Sequence, residues 1–254
     1  MIFETHAHYD DEAFDADRDA LLLSMTEHGI GTIVNATASK KTVEQSIELS
    51  KKYPFIYTTI GVHPSDCAEM DEDELKWLGD MCSYEKAVAV GEIGLDYHYD
   101  EPSKEIQKKW FEAQLDLARR VKFPVIIHSR DAAKDTLDIM KSMKAEELGG
   151  DIHCFSYSVE IAREYLNMGF FIGVGGVITF KNGKKLREVV EYAPIEQIVI
   201  ETDSPYLAPE PFRGKRNSSL NLPLVTEKIA EIKGLSPEKV IEITEENARR
   251  LYNL

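Results

Sequence analysis

The sequence predicts a single-domain, closed (β/α)8 TIM barrel, and three observations carry that expectation. Eight short runs rich in Val, Ile and aromatic residues recur at an average spacing of about 28 residues. Segments with helical periodicity lie between them, and near-continuous apolar strands separated by helices imply a parallel sheet covered on both faces. The length of 254 residues is that of a one-domain α/β barrel, and no linker, charge block, repeat or low-complexity tract marks a boundary within 1–254. A doubly wound open sheet uses the same strand and helix unit and is the structural alternative.

The elements follow in order. The first strand is expected over residues 2–6, where the apolar run ends in His6-Ala7-His8. Gly29 sits where a helix C-terminal cap would be, ahead of the second strand at 31–35. The third, 55–61, runs into Val62-His63-Pro64, and Asp71 with Glu74 three residues later reads as a helix N-terminal capping pair. The fourth, 87–92, stops at Gly91-Glu92-Ile93-Gly94. Ile106, Trp110, Ala113 and Leu117 then form one helical stripe leading to the fifth strand at 124–128. The sixth spans 151–155, Gly169 supplies another cap, and the seventh and eighth occupy 170–173 and 197–202. Ser236-Pro237 places Pro at a helix's first position, so residues 222–254 read as two closing helices.

Hydrophobic residues at 43%, aromatics at 9% and charges at 30% exclude collagen-like, mucin-like and mostly disordered chains. Cys67, Cys82 and Cys154 are odd in number and in no C-x-x-C arrangement, which supports neither a disulfide framework nor a cysteine zinc cluster. The first residues lack the basic and then apolar regions of a signal peptide, and the apolar stretch from Phe170 to Phe180 is far short of the roughly 20 residues that span a bilayer. A cytoplasmic protein with no membrane association and no obligate protein partner is the expectation. With 30 Lys and Arg against 45 Asp and Glu, the net charge of −15 argues against broad coating of nucleic acid. It leaves room for a small site whose positive charge comes from metal ions.

Function in a parallel barrel sits at the C-terminal ends of the strands. There the chain places His6 and His8, Glu92, His128, His153 and Asp203, four imidazoles and two carboxylates on five predicted strands. The period of two in a strand points His6 and His8 to the same side. Six such donors exceed what one tetrahedral ion uses and suit two divalent ions bridged by a carboxylate.

Thr5-His6-Ala7-His8, Gly61-Val62-His63-Pro64, Gly91-Glu92-Ile93-Gly94-Leu95-Asp96-Tyr97, Ile127-His128-Ser129-Arg130, Ile152-His153-Cys154-Phe155, Glu201-Thr202-Asp203-Ser204-Pro205-Tyr206-Leu207 and Arg213-Gly214-Lys215-Arg216-Asn217 follow one another in an order and spacing that resembles the TatD-type metal-dependent hydrolases, the TatD DNases. The resemblance covers essentially the whole chain. It implies a TIM barrel with a two-metal site that hydrolyses phosphodiesters, typically removing nucleotides from the 3′ end of DNA. It also implies that His6, His8, Glu92 and Asp203 surround one ion and Glu92, His128 and His153 the other. Two departures stand out: Glu4 where the family usually has Asp, and Ser218-Ser219 where Glu-Pro commonly follows the Arg-Asn pair.

Two cations at such a site, whether Mg²⁺, Mn²⁺ or Zn²⁺, polarise a scissile phosphate and acidify water, while Asp203 holds that water and takes its proton. Glu92 serves as the shared, catalytic carboxylate. His63 is expected as a phosphate or leaving-group contact, or else as a turn histidine that fixes its loop. Arg130 could grip a phosphate bidentately or pair with a carboxylate. Arg213, Lys215 and Arg216 form the one dense basic cluster near the active face, placed either to guide DNA or to pair with the barrel rim. Tyr97, Tyr99 and Tyr206 are candidates for base stacking, with loop packing as the alternative. His28 reads as a helix-end residue, and Cys154 is expected to alternate away from the metals. No Gly-x-Ser-x-Gly elbow, phosphate-binding loop or full dinucleotide fingerprint is present, so no nucleotide cofactor is indicated.

The expectation is therefore a divalent-metal hydrolase, most consistent with a 3′-5′ exodeoxyribonuclease acting on single-stranded or frayed DNA. One rival is an amide, ester or lactone hydrolase of a small metabolite or aminoacyl linkage. Another is a metal-binding scaffold without catalysis.

Overall fold

The computed structural model describes residues 1–254 as one barrel of eight parallel strands in sequential order β1 to β8. The strands are β1 (Ile2–Ala7), β2 (Ile30–Asn35), β3 (Ile56–Ile60), β4 (Ala87–Asp96), β5 (Val125–Arg130), β6 (Gly150–Ile152), β7 (Phe171–Val174) and β8 (Ile198–Ile200). Backbone hydrogen bonds from His8 N to Ser204 O (2.7 Å) and from Asp203 N to His6 O (3.0 Å), with a parallel bridge between Ala7 and Ser204, bring the chain after β8 back onto β1. The closed barrel is thus observed, and the open sheet is not.

Around it run α1 (Arg18–Ser24), α2 (Lys40–Lys52), α3 (Glu72–Met81), α4 (Lys104–Val121), α5 (Ala133–Ser142), α6 (Val159–Asn167), α7 (Lys184–Tyr192), α8 (Leu222–Lys233) and α9 (Pro237–Tyr252). Their apolar faces join outward-facing strand residues such as Ile33, Ile60, Val90, Ile127 and Ile172 in the main core. A second, separate cluster lies near the N-terminal ends of the strands. There Phe3, Val88, Ile126 and Val199 meet Ala248, Leu251 and Tyr252 of α9, and the Tyr252 hydroxyl donates to Thr5 O at 2.8 Å. The helix thus covers the end of the barrel opposite the strand C-termini.

Most predicted strands shift by one or two residues at their ends, but three differences affect the site. β4 continues four residues past its predicted end, because Gly94, Leu95 and Asp96 pair with His128, Ser129 and Arg130 of β5. Gly94 permits this: with φ of +143°, it brings its Cα so near β5 that a Cβ would fall 1.9 Å from His128 O. β6 ends at Ile152 instead of 155 and β8 at Ile200 instead of 202. Beyond those ends Cys154 and Asp203 take left-handed backbone, with φ of +45° and +57°. Strand alternation therefore does not govern where their side chains point.

The expected punctuation is present. Asp71 accepts from Glu74 N at 2.8 Å, Gly29 and Gly169 have φ of +84° and +82°, and Ser236 caps α9 with Pro237 at its first position. The two closing helices are α8 and α9.

Candidate metal centre

His8, Glu92, His128, His153 and Asp203 line a cleft of about 810 Å³ at the C-terminal end of the barrel. His6, fully buried, stacks on His153 with ring centroids 3.4 Å apart. The six side chains singled out in the sequence therefore come together.

Glu92 divides the imidazoles into two groups. Its Oε2 lies 3.3 Å from His6 Nε2 and 3.8 Å from His8 Nε2. Its Oε1 lies 2.8 Å from His128 Nδ1, 3.7 Å from His63 Nε2 and 3.8 Å from His153 Nε2. Asp203 Oδ1 completes the arrangement, 3.4 Å from His8 Nε2 and 3.7 Å from His153 Nε2.

These separations fit bound cations. Ligand atoms on a tetrahedral ion with bonds of about 2.0–2.1 Å stand roughly 3.3 Å apart. His6 Nε2 and His8 Nε2 are 3.2 Å apart, and the His6–Glu92 and His8–Asp203 edges are 3.3 Å and 3.4 Å. The donor atoms of His6, His8 and Asp203 lie within 4.8 Å of one another, as do those of His63, Glu92 and His128. Orienting contacts agree with ligation. His8 Nδ1 faces Ala36 O at 3.1 Å and His153 Nδ1 faces Glu201 Oε2 at 2.9 Å, which leaves each Nε2 for the cleft. His128 is turned the other way: Asp96 Oδ2 holds its Nε2 at 3.0 Å, so Nδ1 meets Glu92.

The electrostatics keep the carboxylates ionised. Burial works to raise the Glu92 pKa, yet the imidazoles around it, His6 and His153 foremost, hold it well below the usual carboxylate range. Burial opposes ionisation of Asp203 too, and hydrogen bonding to His8 lowers its pKa. Burial, reinforced by nearby His128, pushes His63 down to about 3, so that imidazole is neutral.

His63 thus reaches ligand distance, beyond the phosphate contact its turn position suggested. Its Nδ1 lies 2.7 Å from Ser65 Oγ. Three residues left without a site role in the sequence reading belong to the centre. Glu201 accepts from Cys154 N at 2.6 Å and sits against Gly173, where a Cβ would come within 2.7 Å of its carboxylate. Asp96 orients His128. Cys154 lines the cleft, correcting the expectation that it alternates away, because β6 has already ended. Glu201 stands two residues before Asp203, a spacing that could have flagged it.

The remaining candidates scatter. Arg130 and Tyr99 are exposed at the cleft, the guanidinium 5.9 Å from the ring centroid. Tyr206 lines the opposite wall and donates to Asp11 at 3.0 Å. Arg213, Lys215 and Arg216 are not among the lining residues. Arg216 pairs with both carboxylate oxygens of Asp17 at 2.6 Å and 2.7 Å, Arg213 stacks on Phe180 and Lys215 lies over Phe212. Tyr97 packs in its loop and donates to Asp135, and His28 Nδ1 meets the helix carbonyl of Ser24 at 2.8 Å. Glu4 is buried, accepting from His6 N, Thr202 N, Thr202 Oγ1 and Ser219 Oγ. The two departures from the family pattern therefore touch: Glu4 and Ser219 are hydrogen-bonded at 2.9 Å.

A family model described as "TatD related DNase" matches residues 3–253. The chain is 44% identical over its full length to the full length of the "Uncharacterized metal-dependent hydrolase YabD" of Bacillus subtilis. It is 29% identical to the "3'-5' ssDNA/RNA exonuclease TatD" of a Rahnella species, over 100% of this chain and 98% of that one. The crystal structure of the TatD homolog YJJV from Escherichia coli superposes with a TM-score of 0.94 at 29% identity, covering 100% of this chain and 98% of the other.

Proposed function

This chain belongs to the TatD-related DNase family and is a metal-dependent hydrolase, and from that premise we propose that it is a 3′-5′ exodeoxyribonuclease that cleaves phosphodiesters with two divalent cations. The observation that carries the two-ion reading is Glu92, whose two carboxylate oxygens face different imidazole sets. His6, His8, Glu92 and Asp203 would hold one ion; Glu92, His128 and His153 the other, with His63 in reach. Bound Mg²⁺, Mn²⁺ or Zn²⁺ would supply Lewis acidity toward the phosphate and acidify water.

The protein's own groups do the rest. Asp203, ionised and at the cleft, accepts the proton of the attacking water. His153 is held in orientation by Glu201, and His128 by Asp96, so the donors are fixed before substrate arrives. Arg130 contacts a phosphoryl oxygen through its planar guanidinium. Single-stranded or frayed 3′ ends suit a cleft of about 810 Å³ at the end of a barrel better than a continuous duplex. The whole chain, 1–254, acts as one domain. Its free thiols, two of them buried, fit a reducing cytoplasmic compartment.

Digestion of 3′-labelled and 5′-labelled single-stranded DNA by metal-stripped protein tests this, with Mg²⁺, Mn²⁺ or Zn²⁺ restored separately and Asp203→Asn as control. Stepwise loss from the 3′ end that requires both metal and Asp203 is expected. A second reading, hydrolysis of an amide, ester or lactone, draws support from the cleft's having one Lys or Arg in its lining, Arg130. Turnover of acyl substrates with no DNA cleavage at full metal occupancy would establish it instead.

A further inference from the structure

Resting on the nuclease reading, we infer that the site selects short single-stranded fragments, and that acidic residues at its rim reject strands whose phosphates continue past the cleft. The first observation is the balance of charge. Arg130 is the one Lys or Arg among the lining residues, whereas Asp11 and Asp66 join the ligand carboxylates there. Neither rim carboxylate is in a salt bridge: Arg18, which donates to the Asp11 backbone carbonyl at 2.9 Å, pairs with the Asp15 carboxylate. The Asp11 carboxylate accepts from Ala13 N and the Tyr206 hydroxyl, and the Asp66 carboxylate accepts from the Ser65 hydroxyl. Neutral donors leave the negative charge in place. The basic loop does not offset it, since Arg216 is matched by Asp17 and Arg213 and Lys215 lie off the cleft.

The second observation is the placement of the exposed aromatics. Tyr99 follows β4 beside Arg130 at the end of β5, while Tyr206 follows β8 next to Asp11, which follows β1. In a closed eight-stranded barrel these positions are diametrically opposed. Tyr99 is 61% exposed and Tyr206 54%, so both rings offer a face to a base. A cleft of about 810 Å³ falls in the range that takes a drug-sized ligand, enough for roughly one or two nucleotides. Arg130 draws in the phosphate being cut, and the six ligand residues would hold cations that supply further positive charge there. The next phosphates along the strand meet Asp11 and Asp66, and like charge at this range penalises each one that must pass.

The test compares kcat/KM for single-stranded DNA as a trinucleotide, a hexanucleotide and a thirty-nucleotide strand, with bis-para-nitrophenyl phosphate as a sequence-free phosphodiester. The wild-type protein is expected to favour the trinucleotide over the long strand by about tenfold at low ionic strength. Added monovalent salt narrows that gap as screening shortens. The double variant Asp11→Asn, Asp66→Asn should raise kcat/KM on the long strand toward that on the trinucleotide and leave turnover of bis-para-nitrophenyl phosphate unchanged. Asn keeps the capping acceptor of residue 11, so folding is preserved. Equal or better cleavage of the long strand by the wild-type protein overturns the length selection and leaves the nuclease reading intact. So does a double variant with an unaltered length profile. Hydrolysis of bis-para-nitrophenyl phosphate with no cleavage of any strand overturns both.

Discussion

At the scale of single residues, Asp203 is the most informative position. Its left-handed backbone, φ +57°, is one that Asn tolerates well, so Asp203→Asn keeps the loop geometry while removing the proton acceptor. Hydrolysis is expected to fall by about 10²- to 10⁴-fold in kcat with an unchanged circular dichroism spectrum; turnover near wild type would remove Asp203 from the chemistry. Glu4 makes a different prediction. Burial pushes its pKa up to about 8, against partial lowering by its hydrogen bonds to Thr202, His6 and Ser219. The folded protein keeps this proton up to about pH 8, whereas the unfolded chain releases it near 4.5. Between those values the native state binds more protons, so stability declines as pH rises, by at most about 1.4 kcal/mol per unit. Glu4→Gln, whose amide can donate to the hydroxyls of Thr202 and Ser219, should flatten that slope in urea melts run from pH 5 to 8. The chief donors were legible in the sequence because each lies at or just beyond the end of an apolar run, a position that the pattern of such runs locates even where the strand itself stops earlier or later. Asp96 and Glu201 were given no role and Cys154 was turned away from the metals, because these placements depend on where β4, β6 and β8 stop.

At the scale of elements, the strand and helix alternation was readable throughout, and the errors lie at strand ends. A Gly-bounded motif looks like a stop in β4, but Gly94 allows close pairing with β5, and that gain in pairing is tertiary. Helix starts were only partly visible. α2 opens with a reciprocal box in which Ser39 Oγ accepts from Thr42 N and Thr42 Oγ1 accepts from Ser39 N. The box uses Thr where Glu or Gln is customary, so the usual pattern misses it. Ser39→Ala should cost about 1 kcal/mol and lower the melting temperature by roughly 2–4 °C, read by calorimetry. No change would mean that Thr42 alone supports the helix start.

At the scale of the whole molecule, four imidazoles and the carboxylates of Glu92 and Asp203 meet in one cluster that only the folded chain assembles. Stripping metal should therefore lower the melting temperature, and adding back Mn²⁺ or Zn²⁺ should raise it in proportion to the logarithm of concentration. At a hundredfold excess over Kd the gain is about 2.7 kcal/mol, or roughly 5–10 °C for a chain of this size. A melting temperature indifferent to metal would count against ligation by this set. No helix is long and apolar enough to cross a membrane. The barrel itself was predictable because its repeat length and apolar strands admit few topologies. Its floor was less so: that helix α9, rather than side chains from the strands alone, would fill the lower opening is not encoded in any local pattern. This floor sets a timetable. Met1 pairs with Glu245 and Thr5 with Tyr252, contacts separated by more than 240 positions. On the ribosome, β1 therefore waits for nearly all of synthesis before its last partners are made, and until then the apolar cluster beneath the barrel lacks its cover.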